Sequence, residues 1–259
     1  MRKPRTTVPE GQFFSPANVR QTRASHEQTT KSKPKLSVRL ADIAALHTDG
    51  TITARQCKIP NLPVFDQAFA AFAQGTLFQS EHGLIAVEDL YPGDRLLTPD
   101  GHAAQITWIA SSSHSGSDRS AKQSLTRVMA DSFGMNRPQS FVTLGPAARL
   151  LQTPHNLRAE LRGTQMMTPV SQFVDGVQVI SVMPPTPVRL FHIGMRHHCA
   201  LLAGGLEVES FHPGLESLPY MSDTLRNVYM SLFPHIAALS EFGPMRFMRA
   251  PDRDKQTAA

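Results

Sequence analysis

The sequence predicts an all-β body, closed by a C-terminal helix and preceded by a disordered leader, and three observations carry that prediction. From Val64 onward the chain is built of short apolar runs separated by Gly, Pro and Asp, the texture of many short strands joined by turns. Helical spacing is sustained only near the end, where Leu225, Val228, Tyr229, Leu232 and Phe233 follow the capping pair Ser222-Asp223 and stop at Pro234. Up to about residue 35 the chain is rich in Thr, Ser, Gln and Pro with almost no apolar periodicity, so it cannot bury enough surface to offset its chain entropy.

Each element follows from local chemistry. Residues 1–40 hold Arg2, Lys3, Arg5, Arg20, Arg23, Lys31, Lys33, Lys35 and Arg39 against Glu10 and Glu27, so the leader carries +7 and the remaining chain −2. Leu36, Leu40, Ile43 and Ala44 recur at helical spacing and predict one short amphipathic helix over 36–47, ended by Asp49-Gly50. Residues 84–90, 95–98 and 104–109 read as three strands of an antiparallel meander. Pro92 with Gly93 makes the first turn, and Asp100-Gly101 the second. Residues 111–120, nearly all Ser, Gly or charged, read as a mobile surface loop. Further short strands are predicted at 141–144, 150–152, 165–169, 177–182, 188–193 and 200–202. The tail from about Ala250 is polar and expected to fray.

Composition narrows the function classes. With 41% hydrophobic and 18% charged residues among 259, the body is globular in balance, neither wholly disordered nor fibrous. Cys57 and Cys199 alone cannot build a disulfide framework or a four-Cys zinc site. No apolar run of eighteen residues and no apolar signal centre occur, so a soluble chain with no membrane span is expected. Cytoplasmic location is the default, with signal-peptide-independent secretion as the alternative. The basic charges of the leader are dispersed, so nucleic acid is not the expected partner. No G-x-S-x-G elbow, phosphate-binding Gly loop or helical His pair is present, against the common hydrolase, nucleotide and metalloprotease sites.

Two segments carry a more specific signal. The first is Gly75-Thr76, then Val87-Glu88-Asp89-Leu90-Tyr91-Pro92-Gly93-Asp94-Arg95, then Ile106-Thr107-Trp108-Ile109. The second runs from Phe191-His192 to Ala203-Gly204-Gly205-Leu206-Glu207-Val208-Glu209-Ser210-Phe211, with Phe173-Val174-Asp175-Gly176 between the two. In this order they resemble the opening and closing motifs of bacterial Hint (Hedgehog/intein) domains over residues 71–214. The resemblance implies a pseudo-symmetric β horseshoe whose two module ends meet at one site. It also implies an autoprocessing, protein-splicing ancestry: a Cys or Ser at the first module position attacks the preceding carbonyl, and a histidine polarises the amide. No cofactor is implied. The expected organisation is a largely disordered basic leader with the short helix over 1–62, a Hint domain over 63–216, and the helix with its polar tail over 217–259.

Laid on this chain, the family pattern puts the nucleophile at Ala71, which has none. The nearest downstream hydroxyls are Thr76 and Ser80, and Cys57 lies upstream with no matching flank. The internal histidine falls at Ala148 in the register Gly145-Pro146-Ala147-Ala148. In a second register, Thr153-Pro154-His155-Asn156, His155 is displaced by one place. His198 matches the central histidine of the closing half, the acidic residue often found two before it has become Arg196, and Ser210 ends the module. Ala71 and Ala148 are thus expected vacancies, His155, His198 and Ser210 vestiges, and Gly75, Thr76, Glu88, Asp89, Pro92, Gly93 and Asp94 the motif that builds the scaffold. Self-cleavage is expected to be lost, leaving a scaffold that binds a protein partner of unknown identity. The competing readings are a self-cleaving enzyme using Thr76, or water activated by His155 or His198, and a basic-tailed nucleic-acid-associated protein. His192, His197, His198 and Cys199 have zinc-ligand chemistry. Strand alternation lets at most two of them share a face, so no metal site is expected. Met166, Met167, Met245 and Met248 are expected to fill core gaps.

Overall fold

In the computed structural model, residues 37–115, 124–154, 164–214 and 221–251 are described. The leader up to residue 36, residues 116–120 of the polar stretch, His155 with Asn156, and the tail beyond Pro251 lie outside them. The fold is mostly β, and every pair of named strands is antiparallel.

The chain enters as a hairpin, β1 (Val38–Leu46) and β2 (Ile52–Pro60), turning at Gly50 with φ +85°. The helix expected over residues 36–47 is therefore a strand. Ala41, Ile43 and Ala45 alternate into one apolar core while Ala44 faces the other. Lying between β2 and a strand of the main sheet, this segment satisfies its backbone on both edges, which outweighs weak helical spacing. A short helix α1 (Pro63–Asp66) follows, and Asp66 is ion-paired with Arg39.

The next strands are β3 (Phe72–Ala73), β4 (Leu77–Ser80), β5 (Gly83–Ala86), β6 (Arg95–Leu97) and β7 (Ala103–His114). β5 pairs with β4 and β6 pairs with β7, so the expected meander holds only for β6 and β7. Between β5 and β6, the segment 87–89 is a 3-10 turn. β7 spans both halves of the fold: its start pairs with β6, its remainder with β1 and with β13 (Val188–Met195). Ser111, Ser112 and His114, expected in a mobile loop, are buried at its end. Small side chains fit between two flanking strands, and the Ser111 hydroxyl accepts from the Arg189 guanidinium, which also pairs with Asp42.

The remaining strands are β8 (Leu125–Val128), β9 (Val142–Leu144), β10 (Arg149–Leu151), β11 (Met167–Pro169), β12 (Val179–Val182), β14 (Ala200–Ala203) and β15 (Leu206–Glu209). The strand order runs β11-β10-β15-β14-β4-β6-β7-β13-β3-β9-β8-β12. The largest core lies under these strands and contains Phe72, Phe78, Leu96, Ile106, Leu144, Leu201 and Val208. Met166 and Met167 are buried as expected, whereas Met245 and Met248 are exposed. Met248 belongs to a stretch whose backbone bonds to Met167 at the sheet edge, which leaves its side chain in solvent.

Helix α2 (Asp223–Met230) begins where the sequence places it, with Leu225 N–H donating to the Ser222 hydroxyl. It packs Tyr229, Leu232 and Phe233 into a second core with Phe65, Phe69, Trp108 and Phe211. Phe211 and Phe233 stack at 5.2 Å, and Trp108 Nε1–H donates to the Leu232 carbonyl at 2.7 Å. Burial of these rings at roughly 25 cal/mol per Å² makes the helix an integral part of the fold. None of the helices among the described residues is long and apolar enough to cross a membrane.

Candidate functional site

The peptide bond between Ala70 and Ala71 sits at the mouth of β3, held on three sides. Ala71 N–H donates to the Phe191 carbonyl at 3.1 Å, Ala147 N–H donates to the Ala70 carbonyl at 2.9 Å, and Gly145 N–H donates to the Ala71 carbonyl at 2.7 Å. Gly145 must be glycine for steric reasons: a Cβ there would overlap the Ala70 carbonyl oxygen. The close approach of 145–148 to 70–71 thus depends on one missing methyl group. Gly145→Ala is expected to destabilise the fold by about 3 kcal/mol, seen as a lower urea midpoint, because two backbones must separate. An unchanged midpoint would contradict the packing described.

Of the two sequence registers, the structure brings the Gly145-Pro146-Ala147-Ala148 segment to Ala71. Ala71 is 0% and Ala148 1% exposed, both in the main core, and neither carries a polar atom beyond the backbone. His155, from the other register, lies outside the described residues. The nearby hydroxyls are engaged elsewhere: Thr76 Oγ1 donates to the Ala73 carbonyl at 2.7 Å, and Ser80 Oγ to the Gly83 carbonyl at 2.7 Å. Cys57 is half-buried on β2 opposite Ala41, and burial pushes its thiol up. Burial likewise pushes the Cys199 thiol up to about 11, away from the thiolate a nucleophile needs.

The motif residues around Gly75 act through turns. Gly75, at φ +84°, donates its N–H to Glu88 Oε2 at 2.8 Å, joining the β3–β4 corner to the 3-10 turn. Tyr91 N–H donates to Asp94 Oδ2 at 2.7 Å, while Gly93 N–H and the Asp94 carbonyl bracket Ile106 from both sides at 2.8 Å. Pro92 is buried in that turn and Asp89 is exposed beside it.

A second polar group lies where the chain enters β14 and leaves β15. His198 Nδ1 accepts from the Arg246 N–H at 3.0 Å, which fixes the proton on Nε2, and Nε2 donates to Glu209 Oε1 at 2.9 Å. Glu209 is 4% exposed and also meets Arg249 Nε at 2.8 Å and Arg149 Nε at 3.6 Å. Burial pushes its carboxyl up, but the His198 hydrogen bond and the Arg249 charge outweigh this and hold it at about 2. Ser210 Oγ accepts from Cys199 N–H at 3.0 Å and is fully buried. Arg196 is exposed; the carboxylate facing His198 comes from across the hairpin instead. Arg149, next to Ala148, connects this group to the Ala71 segment.

His192 also lies here, its ring against Phe72 and Phe211, with Nδ1–H donating to the Gln67 carbonyl at 2.7 Å. Burial pulls it down from 6.5 to about 4, so it is neutral at pH 7. Among the described residues no three His, Cys, Asp or Glu side chains are arranged to hold a metal ion. Both His198 nitrogens are occupied, so in this arrangement it has no free lone pair for water. Sequence reasoning passed over Glu209, Arg149, Arg246 and Arg249. Glu209 was detectable as an acid inside an apolar closing strand, but Arg249 sits in a stretch with no local signal.

A sequence model of the Hint domain family matches residues 70–215. The chain belongs to the Hint domain family. The match opens at Ala70 and covers more than half of the chain. Among solved structures, the Hint chain is similar to a bacterial intein-like domain from Clostridium thermocellum, at 10% identity over 55% of this chain and 99% of that one, with a TM-score of 0.39. It is also similar to the MchDnaB-1 intein, at 15% identity over 54% and 100% with a TM-score of 0.36, and to the Msm DnaB1 intein splicing domain crystallised with zinc, at 18% identity over 54% and 100% with a TM-score of 0.35. No curated protein sequence matches the Hint chain.

Proposed function

We propose that this protein is a Hint domain that has lost self-cleavage and serves as a binding scaffold for a protein partner. The observation that carries the reading is the peptide bond between Ala70 and Ala71. Its carbonyl accepts from Ala147 N–H, so the segment that would act on it is in place, while Ala71 and Ala148 offer only methyl groups. Acyl transfer needs a nucleophile beside the carbonyl and a group to protonate the leaving nitrogen. Neither is present in the side chains of those two positions, and Thr76, Ser80 and Cys199 are tied or poorly acidic where they stand.

The test is the intact mass of freshly purified full-length protein over a day, with and without hydroxylamine or a strong thiol. A single unchanged mass is expected. Fragments of residues 1–70 and 71–259 would overturn the reading, because they require acyl transfer at this bond.

A further inference from the structure

Residues 246–251 lie outside the family match, yet around Arg249 they bridge to the open edge of the sheet. β11 ends the strand order, so its outer edge has free backbone groups to offer. Met167 N–H donates to the Met248 carbonyl at 2.8 Å and Ala250 N–H donates to the Met167 carbonyl at 2.9 Å, a parallel bridge centred on Arg249. Gln172 Nε2 reaches the Pro251 carbonyl at 2.7 Å.

Phe247, Arg249 and Ala250 of this segment face the body of the protein. Arg249 points inward, with Nε on Glu209 Oε1 and Nη2 donating to the His212 carbonyl, both at 2.8 Å. Phe247 packs on Leu151, Met167 and Ala200, and Ala250 is buried. Met245 and Met248 are exposed. The groove therefore takes main chain at the β11 edge, an arginine at a buried carboxylate, and an aromatic ring two positions earlier. These are separable contacts, in the manner of strand addition with side-chain pockets.

We propose that the β11 edge, Glu209 and the Leu151, Met167 and Ala200 depression form a docking groove for an extended peptide carrying an aromatic residue two places before an arginine. In this chain the groove is filled by residues 246–251 acting as a latch, and a partner segment of the same chemistry binds when the latch yields. This rests on the scaffold reading above and supplies its site. The latch is tethered, with an effective concentration on the order of millimolar, so a micromolar peptide cannot displace it unaided. Weakening the latch opens the groove.

The experiment uses full-length protein and a fluorescein-labelled synthetic peptide of residues 243–251, followed by fluorescence anisotropy. Arg249→Ala removes the latch's anchor, and Ala250→Pro removes its N–H donor while keeping every charge in place, so one variant can fail to fold without ending the test. The peptide is expected to bind a folded variant at least tenfold more tightly than the unsubstituted chain. The same peptide carrying Arg249→Ala is expected to lose at least tenfold. No gain in either folded variant, or equal binding of the arginine-free peptide, would overturn the groove. Binding is read without any scission, so its failure leaves the loss of self-cleavage standing, and scission of the unsubstituted chain leaves the groove standing.

Discussion

Placing a thiol at position 71 and an imidazole at position 148 is expected to give a chain that breaks the peptide bond before residue 71. The Ala70 carbonyl is already fixed by Ala147 N–H, and residue 71 is fixed through the Phe191 and Gly145 backbones. An Ala71→Cys, Ala148→His chain therefore adds only the two missing groups to a positioned bond, and positioning is a large share of such catalysis. Ala71→Cys alone gives slow, thiol-dependent scission. The double variant exceeds it by about 10²–10⁴-fold, the usual range for a placed acid or base. Both positions are buried, so each added side chain costs about 1–3 kcal/mol in overpacking, and the melting temperature should be measured beside the rate. Scission will not separate the fragments in buffer. The severed piece contains β1, which pairs with β7, and Phe65 and Phe69, which are buried in the second core. Mass must be read under denaturing conditions. A folded double variant that stays intact would show that the site has been misplaced.

How much of this was legible depends on the range of the interactions. The hairpin of β6 and β7 and the cap of α2 are set by neighbours in sequence, Asp100-Gly101 and Ser222, and were visible without the fold. The strand character of 38–46 was not, because besides the hairpin with β2 it depends on the pairing of 41–45 with 108–112 of β7, more than sixty residues away. The buried serines of β7 failed for the same reason. Their polarity signals a loop, and the Arg189 guanidinium that satisfies the Ser111 hydroxyl is brought over by β13 from far along the chain. At the site, the position of Ala71 was readable from its distance to Gly75-Thr76. The approach of Gly145 to the Ala70 carbonyl was not, since it is a steric contact between segments far apart in sequence. Glu209 and Arg249 are forty residues apart and meet only because the chain returns along β11.

That buried carboxylate governs the second large effect, the response to acid. Glu209 moves from an ordinary 4.5 in the unfolded chain to about 2 in the fold, so the unfolded state binds the proton first as pH falls. Its contribution is complete above about pH 4.5 and is lost as pH drops toward 2, roughly 3 kcal/mol over that window. His192 acts earlier. Burial lowers it from 6.5 to about 4, so again the unfolded chain takes up the proton first, and stability falls by roughly 3 kcal/mol between pH 6.5 and 4. Half-buried His235, pulled to about 4 by burial, adds a smaller loss in the same window. Urea midpoints should therefore decline steadily from pH 7 and then continue to decline below 4.5. Glu209→Gln separates the two phases. At pH 7 it is expected to cost about 3–5 kcal/mol, because Arg249 and Arg149 lose their shared counter-charge. Between pH 6.5 and 4 the decline from His192 persists in this variant, and below about pH 4 its midpoint should flatten. A Gln variant whose midpoints overlay those of the unsubstituted chain at both pH 7 and pH 3 would mean that Glu209 is not the charge that joins residues 246–251 to the sheet.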